Sequence, residues 1–213
     1  MDQDEVLRIL REVGAVLNGH FVLTSGKHSE VYVNKDALYP YTGKTGRLCE
    51  MIAKHFEQDG VQTVIGPAMG GVILSQWTAY HLDWILGRDV SAVYAEKVGN
   101  GDAFTISRGY DELIPGRKVL VVEDVLTTGG SAKKVVEVVR QLGGNVVGVG
   151  VLCNRGGVTF HDVGDVPKLF ALCTITLNTW AREECPLCSQ GVPIKHGRWQ
   201  GARVPAPETG IST

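Results

Sequence analysis

The sequence predicts an α/β protein, a mostly parallel sheet flanked by helices and topped by a small hood. Three observations carry the prediction. Short aliphatic runs alternate with amphipathic stretches along most of the chain, which is the rhythm of strands joined by helical crossovers. Val119 to Val122 is an uninterrupted aliphatic run, fit for a strand buried on both faces, and it leads through two carboxylates and a hydroxyl- and glycine-rich loop into a helix. Thr63 to Ile65 likewise ends in Gly66-Pro67-Ala68-Met69-Gly70-Gly71, a second glycine-rich loop entering a helix, and two such loops can face one crevice.

Each element has its own signal. Residues 4 to 17 place Val6, Leu7, Leu10, Val13 and Leu17 near helical spacing, and this predicts an amphipathic helix closing at Asn18-Gly19. Phe21 to Leu23 and Val31 to Val33, separated by the Ser25-Gly26 turn, read as a strand pair. A helix over 45–58, the strand at Thr63, a helix over 70–81 and a strand over 91–94 follow. After a Gly/Asn/Asp-rich stretch at 99–102 come a strand over 118–122, a helix over 132–142 and a strand over 146–153. Residues 201–213 carry Gly, Pro, Thr and Ser without periodicity and read as a flexible tail.

With 213 residues, 27 glycines and 44% hydrophobic content, the chain suits one α/β domain over 1–200, its hood drawn from about 19–35 and parts of 155–200. Lys plus Arg number 21 against 23 Asp plus Glu, and the net charge of −2 offers no field for nucleic acid or an anionic membrane. The amino terminus lacks the apolar core of a signal peptide and no run of apolar residues is long enough to span a bilayer, so a cytoplasmic protein is expected. Five cysteines are an odd number in such a chain and read as thiols.

The loop after Val122 defines a chemistry. Gly129 and Gly130 can turn their amides toward an anion at a helix N-terminus, and Thr127, Thr128 and Ser131 add hydroxyl donors. A phosphate monoester fits there. Glu123 and Asp124 are placed to accept hydrogen bonds from vicinal hydroxyls, or to sit near a magnesium ion. Together they describe a ribose 5-phosphate, and neither a P-loop nor a G-x-G-x-x-G fingerprint occurs as an alternative.

Residues 119 to 131, Val-Leu-Val-Val-Glu-Asp-Val-Leu-Thr-Thr-Gly-Gly-Ser, resemble the phosphoribosyl pyrophosphate signature of the type I phosphoribosyltransferases. The resemblance implies a Rossmann-like core that binds phosphoribosyl pyrophosphate with magnesium and joins its ribose to a base. It also implies that Ala68, Met69, Gly70 and Gly71 hold the pyrophosphate through backbone amides. The segment from Gly19 to Ser29, with Ser25-Gly26-Lys27, resembles the base-enclosing turn of orotate phosphoribosyltransferases, and Asn154-Arg155-Gly156 falls where those enzymes hold an arginine beside the orotate ring. A guanidinium there can grip the orotate carboxylate through two bonds. Thr127 is a further candidate at the base.

By the same resemblance Tyr94 to Asp102 is a catalytic loop supplied across a homodimer, with Lys97 neutralising the departing pyrophosphate and Asp124 acting beside it. The familiar loop is richer in cations; here Lys97 is alone between Arg88 and Arg108, Arg108 is the reserve, and Thr24 stands where many relatives carry a lysine. A phosphoribosyltransferase for another base, or a noncatalytic sensor of phosphoribosyl pyrophosphate, therefore stays open. No residue is expected to ligate magnesium directly. Cys185-Pro186-Leu187-Cys188 has the spacing of half a zinc site, but only His196 or Cys173 is expected to help, and the six histidines read as scattered, so a thiol pair is the expectation.

Overall fold

The computed structural model describes residues 3–23, 25–99 and 103–195. The expected tail at 201–213, together with Thr24 and His196, lies outside them. The main sheet has six strands in the order β5-β4-β3-β6-β7-β8. These are β3 (Thr63–Pro67), β4 (Ser91–Val98), β5 (Ala103–Thr105), β6 (Lys118–Leu126), β7 (Asn145–Asn154) and β8 (Leu169–Thr174). All pairings in it are parallel except β4 with β5.

Central β6 shows why the sheet needs helices on both faces. Its successive side chains alternate, so Leu120 and Val122 join one buried cluster while Val119 and Val121 join the other. The first cluster packs beneath α2 (Thr42–His55) and α3 (Gly70–Leu86), with α1 (Gln3–Glu12) at its edge; the second packs under α4 (Gly130–Gln141). Leu120 and Val122 are fully buried, and burial of side chains of this size stabilises by about 1.5–3 kcal/mol each. Truncating Leu120 to Ala would cost about 2–5 kcal/mol, since the cavity cannot collapse between two packed layers.

A second, three-stranded antiparallel sheet forms the hood in the order β1-β2-β9, from β1 (Val16–Val22), β2 (His28–Val33) and β9 (Thr179–Trp180). A short helix α5 (Pro186–Ser189) follows. The register of β1 on β2 slips between Asn18 and Phe21, so β1 carries an extra residue there and both His20 and Phe21 are buried.

The expected elements are present, with shifted ends. The first helix stops at Glu12, not at Leu17, because Gly14 takes a left-handed turn (φ 71°) and the Ala15 amide caps Leu10 O at 2.8 Å. Val16 and Leu17 then begin β1. The helix after Gly70 runs on to Leu86 and ends at left-handed Gly87. Strand β4 continues through Glu96, Lys97 and Val98, residues expected in a loop, because β5 pairs with them as a hairpin. Strands β8 and β9 add to the expected set.

Candidate active site

Glu123 and Asp124 lie within β6 rather than beyond it, and both are almost fully buried, at 6% and 2% exposure. Burying two adjacent carboxylates is costly unless partners compensate. Asp124 has them. Its Oδ2 accepts the Tyr39 hydroxyl at 2.8 Å and faces the Lys35 ammonium at 2.7 Å, while Oδ1 accepts the Val125 amide at 2.7 Å. Glu123 Oε1 accepts the Asp124 amide at 3.0 Å. Burial, reinforced by the negative charge of Asp124, pushes the Glu123 carboxyl up to about 8. Burial alone would lower the Lys35 ammonium, but Asp124 outweighs it and holds Lys35 above its ordinary value. Burial and the same carboxylate raise the Tyr39 phenol, so Tyr39 stays a donor.

Three cavities meet around this pair. The first, about 140 Å³, is lined by Glu123 and by Val125 through Ala132, so Thr127, Thr128, Gly129, Gly130 and Ser131 gather as expected. Gly129 is left-handed (φ 79°) and begins α4, which sets the loop at the positive end of a helix of 12 residues. The second, about 130 Å³, is lined by Pro67 to Gly70, Lys35, Lys97, Glu123, Asp124, Val125 and Ser131. Gly71 is absent from that wall. It packs on Gly66, where an added Cβ would sit 2.5 Å from backbone, so its service is close packing of α3 on β3. A Cβ on Gly70 would collide with the Asp124 carboxylate and with the Tyr39 hydroxyl.

The third cavity, about 230 Å³, lies under the hood. Leu23, Tyr32, Val33 and Val125 give it apolar walls; Lys35, Asp124, Thr127 and Arg155 give it polar groups. Arg155 is positioned by its amide on Leu126 O at 2.8 Å and by Nη2 donating to Thr127 Oγ1 at 3.1 Å. Ser25, Gly26 and Lys27 do not line it: they stand exposed at the tip of the β1–β2 hairpin, a turn closed by the Leu23 amide on Lys27 O at 2.8 Å. Arg108, the expected reserve cation, is engaged with Glu96 at 2.9 Å.

Sequence pattern alone does not single out Lys35 and Tyr39. Tyr39 is 85 residues from Asp124, and no local pattern links them; the weak signal was a lysine just past the apolar run Val31 to Val33. The expectation that the histidines are scattered also fails. The hood brings His20 and His28 beside Cys185 and Cys188, whereas Cys173 is buried elsewhere with its thiol on Leu152 O at 3.4 Å.

A mostly parallel sheet with a phosphate-sized loop, a buried acidic pair and a hooded cavity at one strand end defines a phosphoribosyltransferase class, and residues 46–183 match the phosphoribosyl transferase domain family. The chain is 45% identical to the orotate phosphoribosyltransferase of Desulforamulus reducens over 94% of its own length and 99% of that protein's, and 42% identical to the one of Thermotoga maritima over 89% and 95%. The crystal structure of orotate phosphoribosyltransferase from Aeropyrum pernix superposes with a TM-score of 0.63 at 30% identity, covering 80% of this chain and 93% of that one. The chain belongs to the orotate phosphoribosyltransferase family.

Proposed function

We propose that the protein transfers the phosphoribosyl group of phosphoribosyl pyrophosphate to orotate, giving orotidine 5-phosphate and pyrophosphate in pyrimidine nucleotide synthesis. One observation carries this reading: Lys35, Asp124 and Val125 are shared by the hooded cavity and the 67–70 cavity. A ribose seated over Asp124 therefore has a base-sized space on one side and an anion-sized space on the other, as a displacement at one carbon requires.

The loop from Thr127 to Ser131 takes the 5-phosphate, and Glu123 and Asp124 accept the ribose hydroxyls. Ala68, Met69 and Gly70 with Lys97 and Lys35 face the pyrophosphate, whose growing charge the two ammonium groups offset as its bond to the ribose breaks. Orotate lies against Tyr32 and Val125 with its carboxylate toward Arg155; Ser25, Gly26 and Lys27 form the outer rim. A pair of carboxylates without histidine or thiolate fits a hard cation such as magnesium. When bound with the substrate it would supply charge neutralisation of the pyrophosphate. Since Lys35, Tyr39 and the Val125 amide already engage Asp124, substrate oxygens and water would be the main magnesium ligands.

A homodimer and a cytoplasmic location belong to the same reading; free cysteines at 49, 153 and 173 agree with a reducing compartment. Among the described residues no helix is long and apolar enough to cross a membrane. Lys97 lines the cavity of its own chain, and residues 100–102, expected to reach a neighbour's site, lie outside the described ones. Mixing inactive Lys97→Ala and Asp124→Asn chains decides whether sites are shared: recovered turnover requires exchange across subunits. The reaction itself is tested by following orotate absorbance with magnesium and phosphoribosyl pyrophosphate. Turnover abolished by Asp124→Asn is expected, and a wild-type protein that leaves orotate unconsumed would overturn the proposal.

A further inference from the structure

The hood contains a cluster that the phosphoribosyl chemistry does not use. One ligand atom each from His20, His28, Cys185 and Cys188 lies within 4.8 Å of all the others, and His20, His28 and Cys185 are buried. His20 Nε2 lies 3.7 Å from both sulfurs, and His28 Nδ1 lies 3.3 Å from Cys188 Sγ. A tetrahedral zinc ion with Zn–S of about 2.3 Å and Zn–N of about 2.0–2.1 Å sets sulfur–nitrogen separations of about 3.6 Å. The two ring nitrogens are 2.7 Å apart and need open by only about 0.6 Å to reach the separation that the same bond lengths set.

We propose that His20, His28, Cys185 and Cys188 form a structural zinc site that fastens the hood. Three further observations favour it. His20 Nδ1 is 2.7 Å from Val192 O, which can only accept; Nδ1 therefore carries the proton and Nε2 presents its lone pair to the other three groups. Val22 pairs with His28 and His20 lies two residues before Val22, so strand alternation puts both histidines on one face of the hairpin. Charge also balances, because two thiolates and two neutral imidazoles around Zn²⁺ sum to zero in a buried place. Binding releases the two thiol protons to solvent as the sulfur–zinc bonds form, with no change of oxidation state.

The site has a mechanical purpose. Cys185 and Cys188 belong to a segment held to the hairpin by the two-residue pairing of β9 and by main-chain bonding of Lys195 N to His20 O at 2.7 Å. His20 and His28 are the stem of the hairpin that carries Leu23 into the hooded cavity. Zinc would tie strands β1 and β2 and the 185–188 turn into one unit. This inference concerns the hood alone and does not depend on which base is transferred.

The experiment uses the full chain. Protein is stripped with a chelator, titrated with cobalt(II) and then zinc, and desalted for metal analysis. The expected result is about one metal per chain, with the intense visible bands of a tetrahedral cobalt–thiolate centre that zinc bleaches. Cys185→Ser/Cys188→Ser should lose both. Because that variant could fail to fold, the wild-type titration stands by itself: a stripped protein that keeps its circular dichroism yet retains less than about a tenth of an equivalent of zinc, with no cobalt bands, overturns the proposal.

Discussion

Replacing Lys35 by Met removes the ammonium that faces the buried Asp124 carboxylate at 2.7 Å while keeping most of the aliphatic stem. At an effective dielectric of about 20 the pair attracts by about 6 kcal/mol. Most of that is offset by taking Asp124, with a side chain 3% exposed, out of water, and solvent screens the Lys35 side chain, which is 43% exposed. The net loss should be about 1–3 kcal/mol. With a urea slope of about 2–3 kcal/mol/M, the unfolding midpoint falls by about 0.3–1.5 M. A cycle with Asp124→Asn should show that about 1–2 kcal/mol of the loss is shared by the two side chains. Lys35 also lines both the hooded cavity and the 67–70 cavity, so on the proposed placement of the substrates kcat/KM should drop about 10²–10³-fold. A Lys35→Met protein with the wild-type urea midpoint and wild-type kcat/KM would refute both the pairing and the placement.

Arg155→Gln should raise the KM for orotate about tenfold or more, from loss of a charged contact worth about 1.5–3 kcal/mol, and leave the KM for phosphoribosyl pyrophosphate near wild type; equal changes in both would contradict the assignment. Folded Glu123 keeps its proton up to about 8, whereas the unfolded chain releases it above about 4.5. The folded state thus binds more protons in that window, so ligand-free stability should decline as pH rises from about 5 to about 8, and Glu123→Gln should flatten the decline in urea midpoints. An identical slope in the variant would assign the effect elsewhere. Gly70→Ala would set a methyl against Asp124 and Tyr39, so activity should fall at least about tenfold with circular dichroism preserved; unchanged turnover would mean that the 66–70 loop moves freely.

What could be read along the chain, and what could not, follows from how each part is assembled. The glycine- and hydroxyl-rich loop is legible because its strand, acids, hydroxyls, glycines and helix are contiguous from Val119 to Ser131, whereas Arg155 stands out only through the family resemblance of Asn154-Arg155-Gly156. The helix end at Gly14 was visible in principle, as a glycine after Val13, but the apolar spacing of Leu17 competed with it. The family resemblance puts Lys97 in a loop, yet a strand next to the sheet edge tolerates polar residues such as Glu96 and Lys97 once β5 pairs with it. Lys35 and Tyr39 belong to a different category. Each is an ordinary residue until the fold sets it against Asp124, and a buried acid only announces that some partner must exist, not which one.

The hood shows the same limit in a sharper form. Cys185 and Cys188 are a local pattern, while His20 lies 165 residues from Cys185, so half of the cluster depends on the pairing of β1 with β2. His20 shares a face with His28 because Val22, two residues on, is the partner of His28; a one-residue slip of that pairing would turn His20 to the other face, away from the other three groups. Register, not spacing, is thus what decides whether the hood can hold a metal. Inserting one residue between Phe21 and Val22 should abolish metal uptake even though all four ligands remain in the chain.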